Sequence, residues 1–369
     1  MEANWSQLSQ DLLVETVGRT ELYRDMLAFG WVCKPWQLAA AKKLNYKVPS
    51  TKMFLMLAPE KRSDRRGFYS IPDGITHKFT LPEANGKKVF SSKGWLITIA
   101  KDLSMNLLHP FSRDIIKLPH MKKIKDSKTF TQLNMYMYFI TKCALSASPL
   151  LTSDYVLMVI YGIKGKLAYF RPGDKVWNVV DICNNVDVTY FKGQFYSINT
   201  RGQILVSDIK GDNPTVARIV ASFPDGDRYD ESSYIVESAG KLLVVFREGV
   251  QLRPIREGSW RVENGTYGFQ VFEVDVSNNI WTEIKDLGDR ALFLGANSSF
   301  SIEVPDVSEY KPNSIYFTED FLENYYRSLK GKCGKDMGIY NMEDESIVPY
   351  FNGKSYNRIN PPTWVEQSL

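Results

Sequence analysis

The chain has 369 residues, of which 44% are hydrophobic and 24% charged, and its net charge is +4. This is an ordinary globular composition, and so small a charge does not favour nucleic acid or acidic lipid as a partner, so we expect neither. No apolar run approaches the roughly 20 residues of a membrane-spanning helix, and residues 1–5 lack signal-peptide features. The four cysteines are scattered, which is typical of a reducing compartment, so we expect a nuclear or cytoplasmic protein.

The helical signals lie in the first 41 residues. Ser9 can cap a first helix that breaks at Gly18, Thr20 can cap a second, and Pro35 suits the first turn of a third. A segment below about 40 residues rarely buries enough apolar surface to fold alone. The three predicted helices therefore need another surface, either the rest of the chain or another protein.

The remainder of the chain has the pattern of β-structure. Short apolar runs alternate with polar turns, as at 67–71 before Pro72, and many such hairpins predict a sandwich, a barrel or a propeller. About 310 residues are too many for one sandwich but suit six or seven blades of ~40–50 residues. Trp177 and Trp281 follow turns, as tryptophans of kelch-type blades do. We predict a mainly β protein, with a small all-α head of three helices in 1–45 and a kelch-like β-propeller in 50–366.

The sequence has no recognisable catalytic or metal-binding pattern. His77, His109 and His120 are isolated and lie in or beside turns, where a structural or exposed role is expected. Cys-x-x-Cys, His-x-x-x-His and Gly-x-Ser-x-Gly are missing, and the glycines of 331–335 lack the spacing of a phosphate loop. We therefore predict no catalytic residue, no metal and no cofactor.

Three polar segments have two interpretations each. Two short basic clusters are expected to be solvated loops, although either could assist nuclear import or meet an acidic partner: Lys61, Arg62, Arg65 and Arg66, and Lys122, Lys123, Lys125 and Lys128. The insert 253–265 combines Trp260 with three arginines, which are typical interface residues. It is either a variable loop or a binding element on a rigid β scaffold.

The head resembles an F-box, the helical module that docks on the Skp-type adaptor of cullin-based ubiquitin ligases. The residues that carry this resemblance are Trp5-Ser6-Gln7-Leu8-Ser9-Gln10-Asp11-Leu12-Leu13, Val32-Cys33-Lys34-Pro35-Trp36 and Ala39-Ala40. Ser9 stands where that family usually has proline, and 17–20 replaces its Ile-Leu-x-Arg-Leu run. The module is therefore expected to be partly degenerate.

The rest of the chain resembles the plant F-box family that carries a KIB-type propeller. The matching motifs follow the same order along nearly the whole chain: 68–74, 81–82, 91–96, 106–111, 118–119, 171–177, 313–318, 336–338 and 361–365. Together they are more specific than the head alone.

This resemblance implies a non-catalytic subunit of a Skp–cullin–F-box E3 ubiquitin ligase, in which the head docks the adaptor and the propeller binds a target protein for ubiquitination. The residues expected to contact the adaptor, or to form the small core behind that contact, are Leu8, Leu12, Leu13, Val32, Cys33 and Trp36. The target and its binding residues are not identified by the sequence.

Two alternatives remain at this stage. The first is a ligase-independent propeller scaffold with a decayed head. The second is a propeller enzyme acting on a small molecule, which would require carboxylates or a metal converging on the central channel.

Overall fold

The computed structural model describes most of the chain after residue 52 and parts of the region before it. The described residues are 8–19, 29, 35–36, 38–40, 53–60, 63–124, 139–211, 214–224, 226, 232–249, 252–256, 259–262, 265–305, 310–320, 336–351, 353, 355, 357 and 360–367. Statements about structure below concern these residues.

One continuous α-helix, α1, lies in the head at Gln10–Gly18, with Ser9 at its N-cap position in extended conformation. Ser9 makes no side-chain capping hydrogen bond, so the predicted cap is correct in position but not in that contact. Residues 35–36 and 38–40 are also helical. The three-helix form of the module is therefore not confirmed, because the predicted second helix lies mostly outside the described residues. Within the described ranges, no helix is long and apolar enough to cross a membrane.

The described residues contain 27 β-strands, two short 3-10 helices at Pro82–Ala84 and Met121–Lys123, and α1. The strands of the first half are β1 (Met53–Met56), β2 (Arg65–Ser70), β3 (Ile75–Thr80), β4 (Lys88–Ser92), β5 (Trp95–Ile99), β6 (Met105–Leu108), β7 (Ile115–Lys117), β8 (Ile140–Leu145), β9 (Leu157–Tyr161), β10 (Lys166–Phe170), β11 (Asn178–Val180), β12 (Asn185–Phe191), β13 (Gln194–Asn199), β14 (Gln203–Ser207) and β15 (Ala217–Ser222).

The second half continues this pattern, with one additional hairpin, β18–β19. Its strands are β16 (Ser232–Ser238), β17 (Lys241–Glu248), β18 (Leu252–Arg256), β19 (Ser259–Val262), β20 (Gly268–Asp275), β21 (Ile280–Ile284), β22 (Arg290–Leu294), β23 (Phe300–Glu303), β24 (Ser314–Phe317), β25 (Gly338–Asn341), β26 (Ile347–Val348) and β27 (Thr363–Glu366).

These strands form six blades, so the fold is a six-bladed propeller, one of the two predicted sizes. Five blades are four-stranded: β27-β1-β2-β3, β4-β5-β6-β7, β8-β9-β10-β11, β12-β13-β14-β15 and β16-β17-β20-β21. The sixth, β23-β22-β24-β25-β26, has five strands and contains a parallel pair, β22 with β24. The last strand, β27, pairs with β1, so the two ends of the propeller sequence close the ring in the first blade.

Tight turns with positive φ join the channel-lining strand to the next strand in three blades. Lys93-Gly94 has φ values of 49° and 78°, and Ala239-Gly240 has 50° and 75°. Two consecutive residues of this kind match the right-handed twist of paired strands, so they favour two-residue hairpins. We call the end of the propeller that carries these turns the turn face.

The channel-lining strands run in the same direction. Ser92 and Leu145, at the ends of β4 and β8, are joined by a 3.0 Å bond from the Leu145 N–H to Ser92 Oγ. At their beginnings, Lys88 Nζ donates to the Ile140 carbonyl at 2.7 Å. The connections that follow β1 and β17 therefore lie at the other end of the propeller, which we call the insert face. The boundary predicted between 45 and 50 lies outside the described residues, and the first strand begins at Met53.

Candidate functional site

The described part of the head has a small apolar core. Leu13, Val17, Phe29, Ala39 and Ala40 are buried in it. Partly buried Leu8, Val14 and Trp36 pack against this core, and the Phe29 and Trp36 rings lie 4.3 Å apart. The spacing of Leu13 and Val17 places them on one face of α1, which explains their joint burial.

The six residues predicted for adaptor contact do not share one environment. Leu12 is 51% exposed, whereas its neighbour Leu13 is fully buried and belongs to the core behind the surface. Leu8 and Trp36 are partly buried against that core. Val32 and Cys33 lie outside the described residues. Leu38, which the sequence analysis did not select, is 55% exposed. The available apolar surface of the described head therefore includes Leu12 and Leu38.

The second candidate site is the central channel of the propeller, which the loop 295–299 crosses. This loop connects β22 to β23 in the sixth blade, but its Ser298 N–H donates to the Ser91 carbonyl of the second blade at 3.0 Å. Lys142 of the third blade donates to the carbonyls of Gly295 and Asn297 at 2.6 and 3.1 Å. The loop therefore bridges the channel, and polar groups from several blades hold it.

A buried acid completes this arrangement. Asp187 of β12 is fully buried; its Oδ2 accepts from Ser299 Oγ at 2.8 Å and from the Ile235 N–H at 3.1 Å. Burial raises the pKa of the Asp187 carboxyl, while Lys142 and these donors oppose that rise. The sequence analysis missed Lys142 and Asp187; the available signal was a charged residue within each otherwise apolar strand. Their contacts are with the protein itself, so they serve structure.

Beyond the loop, the channel has a small polar mouth on the turn face. Its volume is about 50 Å³, and it is lined by Lys93, Ala144, Leu145, Thr189, Tyr190, Glu237, Ser298, Ser299, Phe300, Ser301 and Glu366. Burial raises the pKa of Glu366, and Lys93 acts against this shift. Ordinary small-molecule pockets measure roughly 300–1,000 Å³. This mouth is therefore too small for an ordinary substrate pocket.

The groups considered for chemistry are not assembled into a site. Among the described residues, no group of three or more His, Cys, Asp or Glu side chains could hold a metal ion. His109 is fully buried and its Nδ1 accepts from the Ser112 N–H at 3.1 Å within a turn. His120 Nδ1 accepts from the Lys122 N–H at 3.1 Å. Both rings have roles in local backbone structure.

The first basic cluster departs from the prediction of a solvated loop. Arg66 is only 1% exposed, it donates to the Ala84 carbonyl at 3.1 Å, and burial lowers its pKa to about 10. Arg65 is exposed, as expected, and Lys61 and Arg62 lie outside the described residues. The alternation within β2 explains the difference, because neighbouring strand residues point to opposite faces of a sheet.

The family is shown by comparison with known proteins. A family model described as the KIB1-4 beta-propeller matches residues 68–341. The chain belongs to this family. The KIB-type propeller and the curated relatives together confirm the resemblance to plant F-box proteins.

Three relatives from Arabidopsis thaliana align over most of this KIB-type chain. F-box protein SKIP23 is 24% identical, over 98% of this chain and 95% of its own length. F-box protein At4g35733 is 28% identical, over 94% of this chain and 96% of its own. F-box protein At2g26160 is 24% identical, over 88% and 98%. The solved structure of apo AztD from Citrobacter koseri has a TM-score of 0.37 at 9% identity, covering 69% of this chain and 61% of that one, which is too low for any functional conclusion.

Proposed function

We propose that this chain is the substrate-recognition subunit of a Skp–cullin–F-box E3 ubiquitin ligase. The observation that carries the proposal is the alignment with Arabidopsis F-box proteins over nearly the whole chain, head included. In this role the head docks the Skp-type adaptor and through it the cullin scaffold, and the propeller holds a target protein. The chain contributes proximity and no bond chemistry, because tethering raises the target's effective concentration at a separate enzyme.

The head provides surface suited to such docking. Leu12 and Leu38 remain more than half exposed although Leu13 between them in burial terms is fully enclosed. Exposed leucines beside a packed core are the anchors that a helical module presents to a groove. We therefore assign adaptor contact first to Leu12, and core support to Leu13; the roles of Val32 and Cys33 stay predictions.

The propeller supports a macromolecular target more than a small one. Loop 295–299 bridges the channel and the mouth above it holds about 50 Å³, so binding is left to the faces and the rim. We place the protein in the nucleus or cytoplasm, where such ligases would meet their targets. A ligase-independent propeller scaffold with a decayed head is the alternative, favoured by Ser9 in place of proline.

Adaptor binding by the head distinguishes these two functions. The test is capture of a purified Skp-type adaptor by the full chain, by Leu12→Asp and by the control Leu151→Asp. Leu151 is 81% exposed on the propeller, so the control adds the same charge at an exposed leucine away from the head. We expect the wild type and L151D to capture the adaptor and L12D to lose at least about tenfold in affinity, because a charge replaces an apolar anchor. A folded wild-type chain that captures no adaptor would instead support the scaffold.

A further inference from the structure

A buried arginine holds together two connections on the insert face. Arg247, at the end of β17, is 1% exposed. Its Nε donates to Thr266 Oγ1 at 2.6 Å, on the connection from β17 to β20. Its other nitrogens donate to Asp320 Oδ1 at 3.1 Å and Asp336 Oδ2 at 2.9 Å, on the connection from β24 to β25. Asp336 also accepts from the Thr266 N–H at 3.0 Å, so the bases of both connections are fixed to each other.

This arginine keeps its charge in the interior. Burial alone would lower the pKa of Arg247, but Tyr234, Asp320 and Asp336 outweigh that effect and the pKa is raised. The guanidinium also lies 4.8 Å from the centre of the Phe317 ring. A charged group with this many partners makes a rigid base for whatever the connections carry.

The connection from β17 to β20 carries the hairpin β18–β19. This hairpin forms a two-stranded sheet of its own that pairs with none of the six blades. Isolated two-stranded hairpins are marginally stable in water, and the propeller sheet does not require this one to close. At its base, Tyr267 is 61% exposed, which adds aromatic surface of the kind that anchors interfaces. The hairpin is thus an addition to the fold, held at its base by Arg247.

The register of the hairpin places like charges opposite each other. Arg253 pairs directly with Arg261, and Pro254 pairs with Trp260. Residues at directly opposite positions share one face of a hairpin, and like charges there destabilise it. An acidic ligand would relieve this repulsion by binding both positions.

The hairpin lies at the end of the propeller opposite to the end where the chain arrives from the head. Met53, the first residue of β1, pairs with Glu366, and Glu366 interacts with the backbone N–H groups of Lys93 and Gly94 in a tight turn. The head therefore leads into the turn face, whereas the hairpin leaves from the insert face. The two connections of the chain to other proteins would be at separate ends.

We propose that the hairpin β18–β19 is the target-docking arm of the propeller and that it binds an acidic segment of the target protein through Arg253 and Arg261. This inference rests on the proposed function, since it names the recognition element and the charge of the segment that the propeller would bind. Arg247 is its positioning residue, because it holds the base of the arm.

The test uses a fluorescein-labelled ten-residue polyglutamate peptide and fluorescence anisotropy with the full chain. The variant is R253A/R261A, and the matched control is K101A/K122A, which removes two positive charges from exposed residues at the same end of the propeller. We expect at least about fivefold weaker binding by the arginine variant and less than about twofold change in the control, because rim charges contribute locally at moderate salt. Thermal unfolding of both variants verifies that they are folded.

Three results would overturn the inference: no binding by the wild type, equal binding by R253A/R261A, or an equal loss in the lysine control, which would indicate diffuse attraction by the whole face. Capture of the Skp-type adaptor is measured on the same preparations. R253A/R261A should retain it fully. If no preparation captures adaptor while the peptide result holds, the ligase function fails and the acidic-segment site stands.

Discussion

Lys142 Nζ lies 3.4 Å from Asp187 Oδ1 in the centre of the propeller, where neither side chain is more than 8% exposed. The pair joins the channel-lining strands of the third and fourth blades. Through the carbonyls of 295–299 and the hydroxyl of Ser299, it also joins both to the sixth. Residues far apart in sequence thus depend on one ion pair for the closure of the channel.

The first prediction concerns the energy of this pair. Removing one partner from a buried ion pair leaves an uncompensated charge, and typically costs about 3–5 kcal/mol. We expect D187N and K142M each to lower the free energy of unfolding by that order. The double variant K142M/D187N should lose at least about 1 kcal/mol less than the sum, since residues in one network do not add. Urea unfolding of the four proteins provides the measurement, and strictly additive losses would contradict the coupling.

The second prediction is a pH dependence from Lys88, which lies 1% exposed at the start of β4. Burial lowers its pKa from 10.5 to about 7. Between these values the unfolded chain binds more protons than the folded chain, so this group makes stability rise with pH; below about pH 7 it contributes no slope. Relative to K88M, the wild type should therefore gain roughly 2 kcal/mol from about pH 7 to 9.

The comparison with K88M isolates this effect because the lost bond from Lys88 to the Ile140 carbonyl costs the same at every pH. Lys164→Met, at an exposed residue, is the control and should give a curve parallel to the wild type. Parallel curves for K88M as well would mean that the buried amine keeps an ordinary pKa.

Local pattern predicted much of the blade structure. The turn at Pro72–Gly74 does connect two strands, β2 and β3, and the apolar run at 166–170 is β10. Both are hairpins whose partners are adjacent in sequence, so apolar runs and turn residues suffice to find them. The blade number was left between six and seven because the repeats are imperfect.

Other features depend on contacts between distant residues and have no local signal. The pairing of β27 with β1 joins the two ends of the propeller, and the parallel pair β22–β24 interrupts the hairpin order. Burial of Arg66 follows from the sheet packed around it, whereas the sequence shows only a basic cluster. In the head, the exposure of Leu12 and burial of Leu13 are likewise set by packing, which a shared apolar character does not reveal.

The third prediction concerns Arg247. R247M should lower the free energy of unfolding by about 3 kcal/mol, because Asp320 and Asp336 lose their common cation. Arg218→Met, at an exposed residue of β15, should change it by less than about 0.5 kcal/mol. Hydrogen exchange adds a local readout: the Thr266 amide, which donates to Asp336, should lose more protection than amides of the first three blades. Uniform loss of protection across all blades would contradict a local anchoring role.

The fourth prediction concerns the close approach of Gly295 and Thr318. A Cβ on Gly295 would lie 2.0 Å from Thr318 Oγ1, and Thr318 is fully buried with its N–H bonded to the Leu294 carbonyl at 3.1 Å. Neither residue can move without disturbing the loop across the channel. We expect G295A to cost about 3 kcal/mol by overpacking.

Two further variants separate the clash from a simple effect of replacing glycine. Gly173→Ala has a positive φ of 95° and no atom within 4 Å of the added Cβ, so it should cost only about 1 kcal/mol through backbone strain. Thr318→Ala removes the opposing hydroxyl, and G295A/T318A should therefore be at least about 1 kcal/mol more stable than the sum of the single losses predicts. Thermal denaturation of the set decides between the causes. Equal losses for G295A and G173A would assign the cost to the backbone, whereas rescue by T318A assigns it to the contact that holds the loop in the channel.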